Sequence, residues 1–152
     1  MRVTLERSNL LKSLNHVHRV VERRNTIPIL SNVLLAATGA SLELKATDLD
    51  LEITEVTAAS VEQAGATTVP AHLLYDIVRK LPEGAEVMLK LDESGNAMSV
   101  VSGRSSFRLQ CLPQADFPEL TAGSFSHIFR LDSEALKGLI EKTQFAISTE
   151  ET

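Results

Sequence analysis

Apolar positions Leu10, Leu14, Val17 and Val21 recur at helical spacing and form one stripe of an amphipathic helix. Before them, Met1 to Glu6 alternates as a short strand, and the Ser8 hydroxyl is placed to cap the helix. Pro28 cannot stand inside a helix or a central strand, so the helix is finished before it. From Val33 to Val56 the period changes to two. Leu42 and Leu44 alternate with Glu43 and Lys45 after a turn at Gly39, and Leu49, Leu51 and Ile53 alternate with Asp50, Glu52 and Thr54. Such segments predict antiparallel strands with one buried and one wet face.

A second strand-then-helix unit spans Ala66 to Leu81, with Pro70 in the first helical turn and Leu74, Ile77, Val78 and Leu81 as its apolar stripe. Pro82-Glu83-Gly84 ends it. Val87, Leu89 and Leu91 then alternate up to a turn at Glu93 to Asn96, and Met98 and Val100 return as the other arm of a hairpin. Phe107, Leu109 and Cys111 mark a further strand. Leu112 to Leu120, with two prolines and no period, reads as an extended linker anchored by Phe117 and Leu120. Beyond it His127 to Leu131 predicts a strand, and Asp132 or Ser133 caps a third helix with Leu136, Leu139, Ile140 and Ile147 inward. The apolar helix cores at Leu10, Leu73 and Ala135 thus recur about every 62 residues, an internal repeat of one helix with a small antiparallel sheet. Two repeats make an α+β domain over residues 1–122. A third has only begun over 123–152, so the chain reads as the truncated opening of a second domain.

Composition narrows the function classes. A chain with 43% hydrophobic and 23% charged residues is an ordinary globular sequence. It has no run of the roughly 20 apolar residues that a membrane helix needs, and its N-terminus does not read as a signal peptide. The single Cys111 excludes an internal disulfide framework and fits a reducing, cytoplasmic setting. A net charge of −5 excludes a protein basic over its whole surface, yet leaves room for one local basic face. That face is visible: Lys12, His16, Arg19 and Arg23 share a helical spacing with only Glu6 and Glu22 beside them, and Arg23-Arg24 leads into the corner before Pro28. His72, Arg79 and Lys80 add charge on the second helix. Unpaired cations at helical spacing predict a surface for a polyanion.

Two other chemistries are open to this sequence. Asp48, Asp50 and Glu52 fall on one face if Leu49 to Ile53 is a strand, a spacing that can hold a divalent cation in an enzyme. No further convergent ligand or acid–base group supports it. His16 and His18 are two apart on a helix and point to different faces, which argues against a shared metal. A small-ligand or peptide-binding α+β module is the remaining alternative; it predicts a saturable site with little salt dependence. No metal or cofactor is expected.

Six blocks stand in register: Thr26-Ile27-Pro28-Ile29-Leu30-Ser31-Asn32, Ala46-Thr47-Asp48-Leu49, Gly65 to Ala71, Leu81-Pro82-Glu83-Gly84, Ser102-Gly103-Arg104-Ser105, and Leu112-Pro113 through Asp116-Phe117-Pro118. In this order and spacing the chain resembles the N-terminal domain of the bacterial sliding clamp family, the beta subunit of DNA polymerase III. The resemblance implies a ring of two head-to-tail chains, three similar domains in each, with helices lining a central hole and sheets outside. It implies a non-enzymatic processivity factor that encircles double-stranded DNA through loose, sequence-blind phosphate contacts. Arg24 matches a position that touches DNA in the family; Glu150 matches another, where relatives carry a neutral amide, and its carboxylate would repel phosphate. The ring-closing edge maps onto Leu73, Ile77 and Leu81 with Arg104, Ser106, Phe107 and Leu109. Ser106 stands where relatives have a basic residue. Phe107 and Leu109 are read equally well as core of their own domain. Clamp loader and DNA polymerases are implied partners, through a pocket in the second and third domains beyond Thr152.

Overall fold

Arg2–Glu6 forms β1 and runs without a connecting residue into α1, Arg7–Val17. After a 3-10 turn at Pro28–Ser31 come three antiparallel strands, β2 (Asn32–Thr38), β3 (Ser41–Thr47) and β4 (Glu52–Ala58), then the short β5 (Ser60–Gln63). The same sequence of elements returns as β6 (Gly65–Pro70), α2 (Ala71–Lys80), β7 (Glu86–Leu91), β8 (Ala97–Ser102) and β9 (Ser105–Gln110). These belong to a computed structural model that describes residues 1–21, 26–120 and 126–148. The chain forms two units, Met1–Leu120 and Thr121–Thr152.

The first unit is an α+β fold of two antiparallel sheets, ordered β5-β1-β7-β8-β9 and β4-β3-β2-β6. The repeat expected from the sequence is present, but its sheets are not self-contained. Each repeat sends its first strand into the other's sheet: β1 pairs with β7 (Val3 opposite Leu89, Leu5 opposite Val87), and β6 pairs with β2 (Val33 opposite Val69). Each helix therefore carries the chain from one sheet to the other. Val3, Val33, Val69, Val87 and Leu89 are fully buried, as are Leu10, Leu14 and Val17 of α1 and Leu74 and Val78 of α2, all in one core cluster. At the seam, Gly65 has φ +154°, and a Cβ there would sit 3.2 Å from that of Met1, so a side chain at this crossing is strained.

Several local expectations are corrected. Ser8 is not the cap of α1: its hydroxyl donates to Glu6 Oε1 at 2.7 Å, and the Arg7 N–H is taken by the Ala85 carbonyl at 2.8 Å. The helix stops at Val17; Val20 and Val21 reach the core from a tight turn, where Val20 N–H bonds the Val17 carbonyl at 3.3 Å. β-Branched valines are poor helix formers, so the turn keeps their burial without the helix. Pro70 closes β6 and stands just before α2.

Asp48 to Leu51 is a turn, not the start of a strand. Asp48 Oδ1 accepts the N–H groups of Asp50 (3.0 Å) and Leu51 (2.7 Å), and Leu49 takes φ 83°. Leu49 and Leu51 are exposed rather than inward. Asp48, Asp50 and Glu52 therefore share no face, and Glu52 pairs with Lys45 at 3.3 Å. Among the described residues no cluster of metal-ligating side chains occurs, and no helix is long and apolar enough to cross a membrane.

The β7–β8 hairpin forms as read from the sequence. Its turn hangs on Asp92, whose Oδ1 accepts from Ser94 Oγ and from the backbone of Asn96 and Ala97, while Oδ2 accepts from Arg108 at 2.8 Å. Desolvation works to raise the Asp92 carboxyl, but these hydrogen bonds and the Arg108 charge together hold it below its ordinary 3.8. Cys111 is buried, and burial pushes its thiol above the usual range, as an inert core position requires. In the linker Phe117 is buried, whereas Leu120 is exposed.

In the second unit α3 spans Ser133–Thr143, capped as expected by Asp132 Oδ1, which accepts from Glu134 N–H at 3.0 Å and Ala135 N–H at 3.2 Å. His127 to Leu131 is not a strand, and Ile128, Phe129, Leu131, Leu136, Leu139, Ile140 and Ile147 are all exposed. A strand needs a partner for its ladder and a stripe needs a surface; among the described residues this unit offers neither.

Two outcomes are expected. Leu14→Ala should lower unfolding free energy by about 2–5 kcal/mol in a urea titration, because it empties a fully buried site. The Asp92 carboxyl should titrate below 3.8, so its contribution to the hairpin is complete above that value and is lost as pH falls through the folded one. Amide exchange at Asn96 and Ala97 reads this, and Asp92→Asn should remove the acid dependence.

Candidate nucleic-acid interface and ring edge

α1 and α2 lie side by side, and each is pinned at its start to the far end of the other. The Arg7 guanidinium donates to the carbonyls of Val78 (3.1 Å) and Arg79 (2.7 Å), the last turn of α2. His72 Nε2, near the start of α2, meets the Val21 carbonyl beyond α1 at 2.7 Å. Between them the Tyr75 ring is stacked by His18 at 4.0 Å, with the Arg79 guanidinium 5.7 Å from its centroid. These contacts fix the spacing of the two helices that carry the predicted basic face.

That face is less free than its spacing implies. His16 Nδ1 meets Glu55 Oε1 of β4 at 2.8 Å, and Arg79 bonds Asp76 one turn back at 3.1 Å. The sequence showed few acidic neighbours on α1 itself; the carboxylate that reaches His16 comes from a strand far along the chain. His72 is half-buried and committed to a backbone carbonyl. Lys12, Arg19 and Lys80 are exposed and, among the described residues, make no salt bridge, with Arg19 in the turn after α1 rather than on it. Arg23, Arg24 and Glu150 lie outside the described residues. Residues the periodicity missed are Arg7, Asn15 and Tyr75, which line a cleft between the helices with Ser8, Leu11, Lys12 and Arg79. Only the side-by-side packing of α1 and α2 reveals them.

The predicted ring edge divides. β9 is the outermost strand of its sheet, and among the described residues no strand pairs with the other side of its backbone. Beside it Leu73, Ile77 and Phe107 border an open groove of about 530 Å³, completed by Asp76, Lys80, Leu81, Pro82 and Ser105. Leu73 is 49% and Phe107 40% exposed, an apolar face left uncovered. Leu109, at 1%, is core and cannot meet a partner; Leu81, at 7%, contributes only its rim. Phe107 and Leu109 share a face of β9, but only Leu109 reaches under the helices. Arg104 and Ser106 are exposed, Arg104 in the tight turn before β9. Asp76, which the apolar stripe of α2 does not mark, also lines the groove, beside Lys80, a residue the sequence had placed with the basic positions of that helix.

Residues 1–121 match the family described as DNA polymerase III beta subunit, N-terminal domain. The whole chain is 51% identical to the beta sliding clamp of Caulobacter vibrioides, and 97% of it is 44% identical to that of Escherichia coli K12. The chain spans 41% and 40% of those relatives, so it corresponds to a part of their length. Among solved structures it is similar to a sliding clamp of Bartonella birtlesii bound to griselimycin, at 62% identity and TM-score 0.92 over 99% of this chain and 40% of that one. It is also similar to a Caulobacter crescentus polymerase III beta structure, at 51% identity and TM-score 0.92, covering all of this chain and 41% of the other. With the exchanged-strand repeat, the two side-by-side helices and these matches, the chain belongs to the DNA polymerase III beta subunit family, whose N-terminal domain it contains.

Proposed function

We propose that this chain provides the first domain, and the opening of the second, of a non-enzymatic clamp that encircles double-stranded DNA as a head-to-tail ring of two full-length copies. In this reading the first domain runs to residue 122 and the second opens at 123. Lys12, Arg19 and Lys80 face the duplex. Arg24 by its match to the family and Arg23 by its charge are assigned to the same ligand, and His16, His72 and Arg79 add charge while held by their own partners. Contacts of this kind neutralise phosphates without reading bases, so the ring slides and its DNA affinity falls steeply with salt.

The single observation that carries the reading is the open β9 edge beside the groove of Leu73, Ile77 and Phe107. An exposed apolar strand edge is a hazard unless a partner covers it. In a ring, the third domain of the other copy adds a strand there, and Leu73, Ile77 and Phe107 bury against it while Arg104 meets acidic residues. The clamp loader and DNA polymerases engage other domains, and the protein works in the cytoplasm on the nucleoid.

Loaded by its own loader onto nicked circular DNA, the full-length protein should be retained and then lost once the circle is cut. Retention that ignores the cut would mean direct site binding and end the ring reading. In the same protein Phe107→Asp should turn the dimer into monomer in sedimentation velocity with its circular dichroism unchanged. An unshifted dimer would remove this edge from the interface.

A further inference from the structure

The cleft between α1 and α2 has a composition that neither helix shows alone. It is an open groove of about 460 Å³ lined by Arg7, Ser8, Leu11, Lys12, Asn15, Tyr75 and Arg79. Three of the seven are cations and none is a carboxylate, in a chain whose net charge is −5. Two acids adjacent in sequence to lining residues are already engaged. Asp76 holds Arg79, and Glu6, one residue before α1, accepts the Ser8 hydroxyl.

Two of the three cations are held in place. Arg7 is fixed by two carbonyls of α2, and Arg79 is fixed by Asp76 and lies over the Tyr75 ring. Lys12, exposed and without a salt bridge among the described residues, supplies a mobile charge at the rim. The Tyr75 hydroxyl and the Asn15 amide line the same cleft and make no hydrogen bond among the described residues, so both can donate to a ligand. Planar guanidiniums in fixed positions with neutral donors beside them suit a tetrahedral oxyanion, because little side-chain freedom is lost on binding.

We propose that the α1–α2 cleft is a phosphate site, in which Lys12, Arg79 and the Tyr75 hydroxyl take the oxygens of one phosphate while Arg7 sets the positive field behind them. The proposal rests on the clamp reading for its natural ligand, a backbone phosphodiester of the duplex. Free phosphate shares the same chemistry and is the other source. A discrete site would give the sliding surface one defined phosphate contact per domain, beside the diffuse attraction of the exposed cations.

The test is a nuclear magnetic resonance titration of the 152-residue chain, following the Tyr75 ring, the Arg7 and Arg79 Nε–H groups and the lysine Nζ signals. Inorganic phosphate should move the Tyr75, Arg79 and Lys12 signals along one saturating curve. Lys12→Gln should weaken that curve by about five- to tenfold, the loss of one charge-assisted contact. Tyr75→Phe keeps the ring between His18 and Arg79 and should weaken binding about threefold or more. Lys90→Gln, on another face, should leave it unchanged. Shifts that grow linearly without saturation, or that Lys12→Gln and Tyr75→Phe leave intact, overturn the site.

A short duplex is the second arm. Movement of the same signals, with phosphate competing, supports the phosphodiester as ligand. A duplex that moves Arg19 and Lys80 but not the cleft overturns the proposal and leaves the clamp reading standing. Saturation by free phosphate with no response to duplex supports the anion site and counts against DNA as its ligand.

Discussion

Everything in the first unit depends on the exchange of strands between its two repeats. β1 completes the sheet of β7, β8 and β9, and β6 completes the sheet of β2, β3 and β4. Neither meander can bury its inner face without the strand that the other repeat supplies, so the two repeats fold as one cooperative unit. The exchange also sets the helices. Each runs directly out of an exchanged strand, and the two are brought side by side with Arg7 and His72 tying start to end. A surface made from both helices, such as the cleft that holds Lys12, Tyr75 and Arg79, exists only because of this connection.

The same topology decides which edges stay open. β6 is an outer strand, but Thr68 and Leu112 exchange backbone hydrogen bonds there at 3.3 Å, and the Thr68 hydroxyl, itself met by Asn32, donates to the Leu112 carbonyl at 2.9 Å. The linker thus closes that edge. Among the described residues β9 has no such cover, and its flank carries the apolar side chains of Leu73, Ile77 and Phe107 beside Asp76 and Lys80. The difference between these two edges distinguishes an edge protected by its own chain from one placed for a partner. Charge follows a similar division. Pairs such as Arg2 with Glu62 and Arg108 with Asp92 lie on exposed surface, where each adds little stability. The cations without a salt bridge on α1 and α2, by contrast, are available for a ligand.

Much of this was legible in the sequence wherever one local pattern had one outcome. The stripes of α1 and α2, the β2–β3 and β7–β8 hairpins, the Asp132 cap and the repeat itself all follow from spacing. What was not legible depended on contacts distant along the chain. Alternation at Leu49 and Leu51 was present, yet Asp48 could bind two backbone N–H groups and turn the chain instead. Leu109 and Phe107 share a strand face, but only the position of α2 decides that one is core and the other rim. His16 read as a free cation until β4 brought Glu55 to it. The exchange of β1 and β6 leaves no mark in either repeat, because an alternating strand is equally suited to either sheet.

α3 separates local code from tertiary support. Its N-terminus is satisfied by Asp132, and Leu136, Leu139 and Ile140 stand at the same helical spacing that buries Leu10 and Leu14 in α1. Yet those side chains are exposed, and within the second unit no strand precedes or follows α3 among the described residues. Capping and periodicity are therefore enough to define a helix here but not to bury one. In the first unit the burial of each helix arrives with the strand that the other repeat contributes. By that logic α3 acquires a core only where a second strand-and-helix repeat is present to exchange with it, and the stable unit of this fold is the pair of repeats, not the single one.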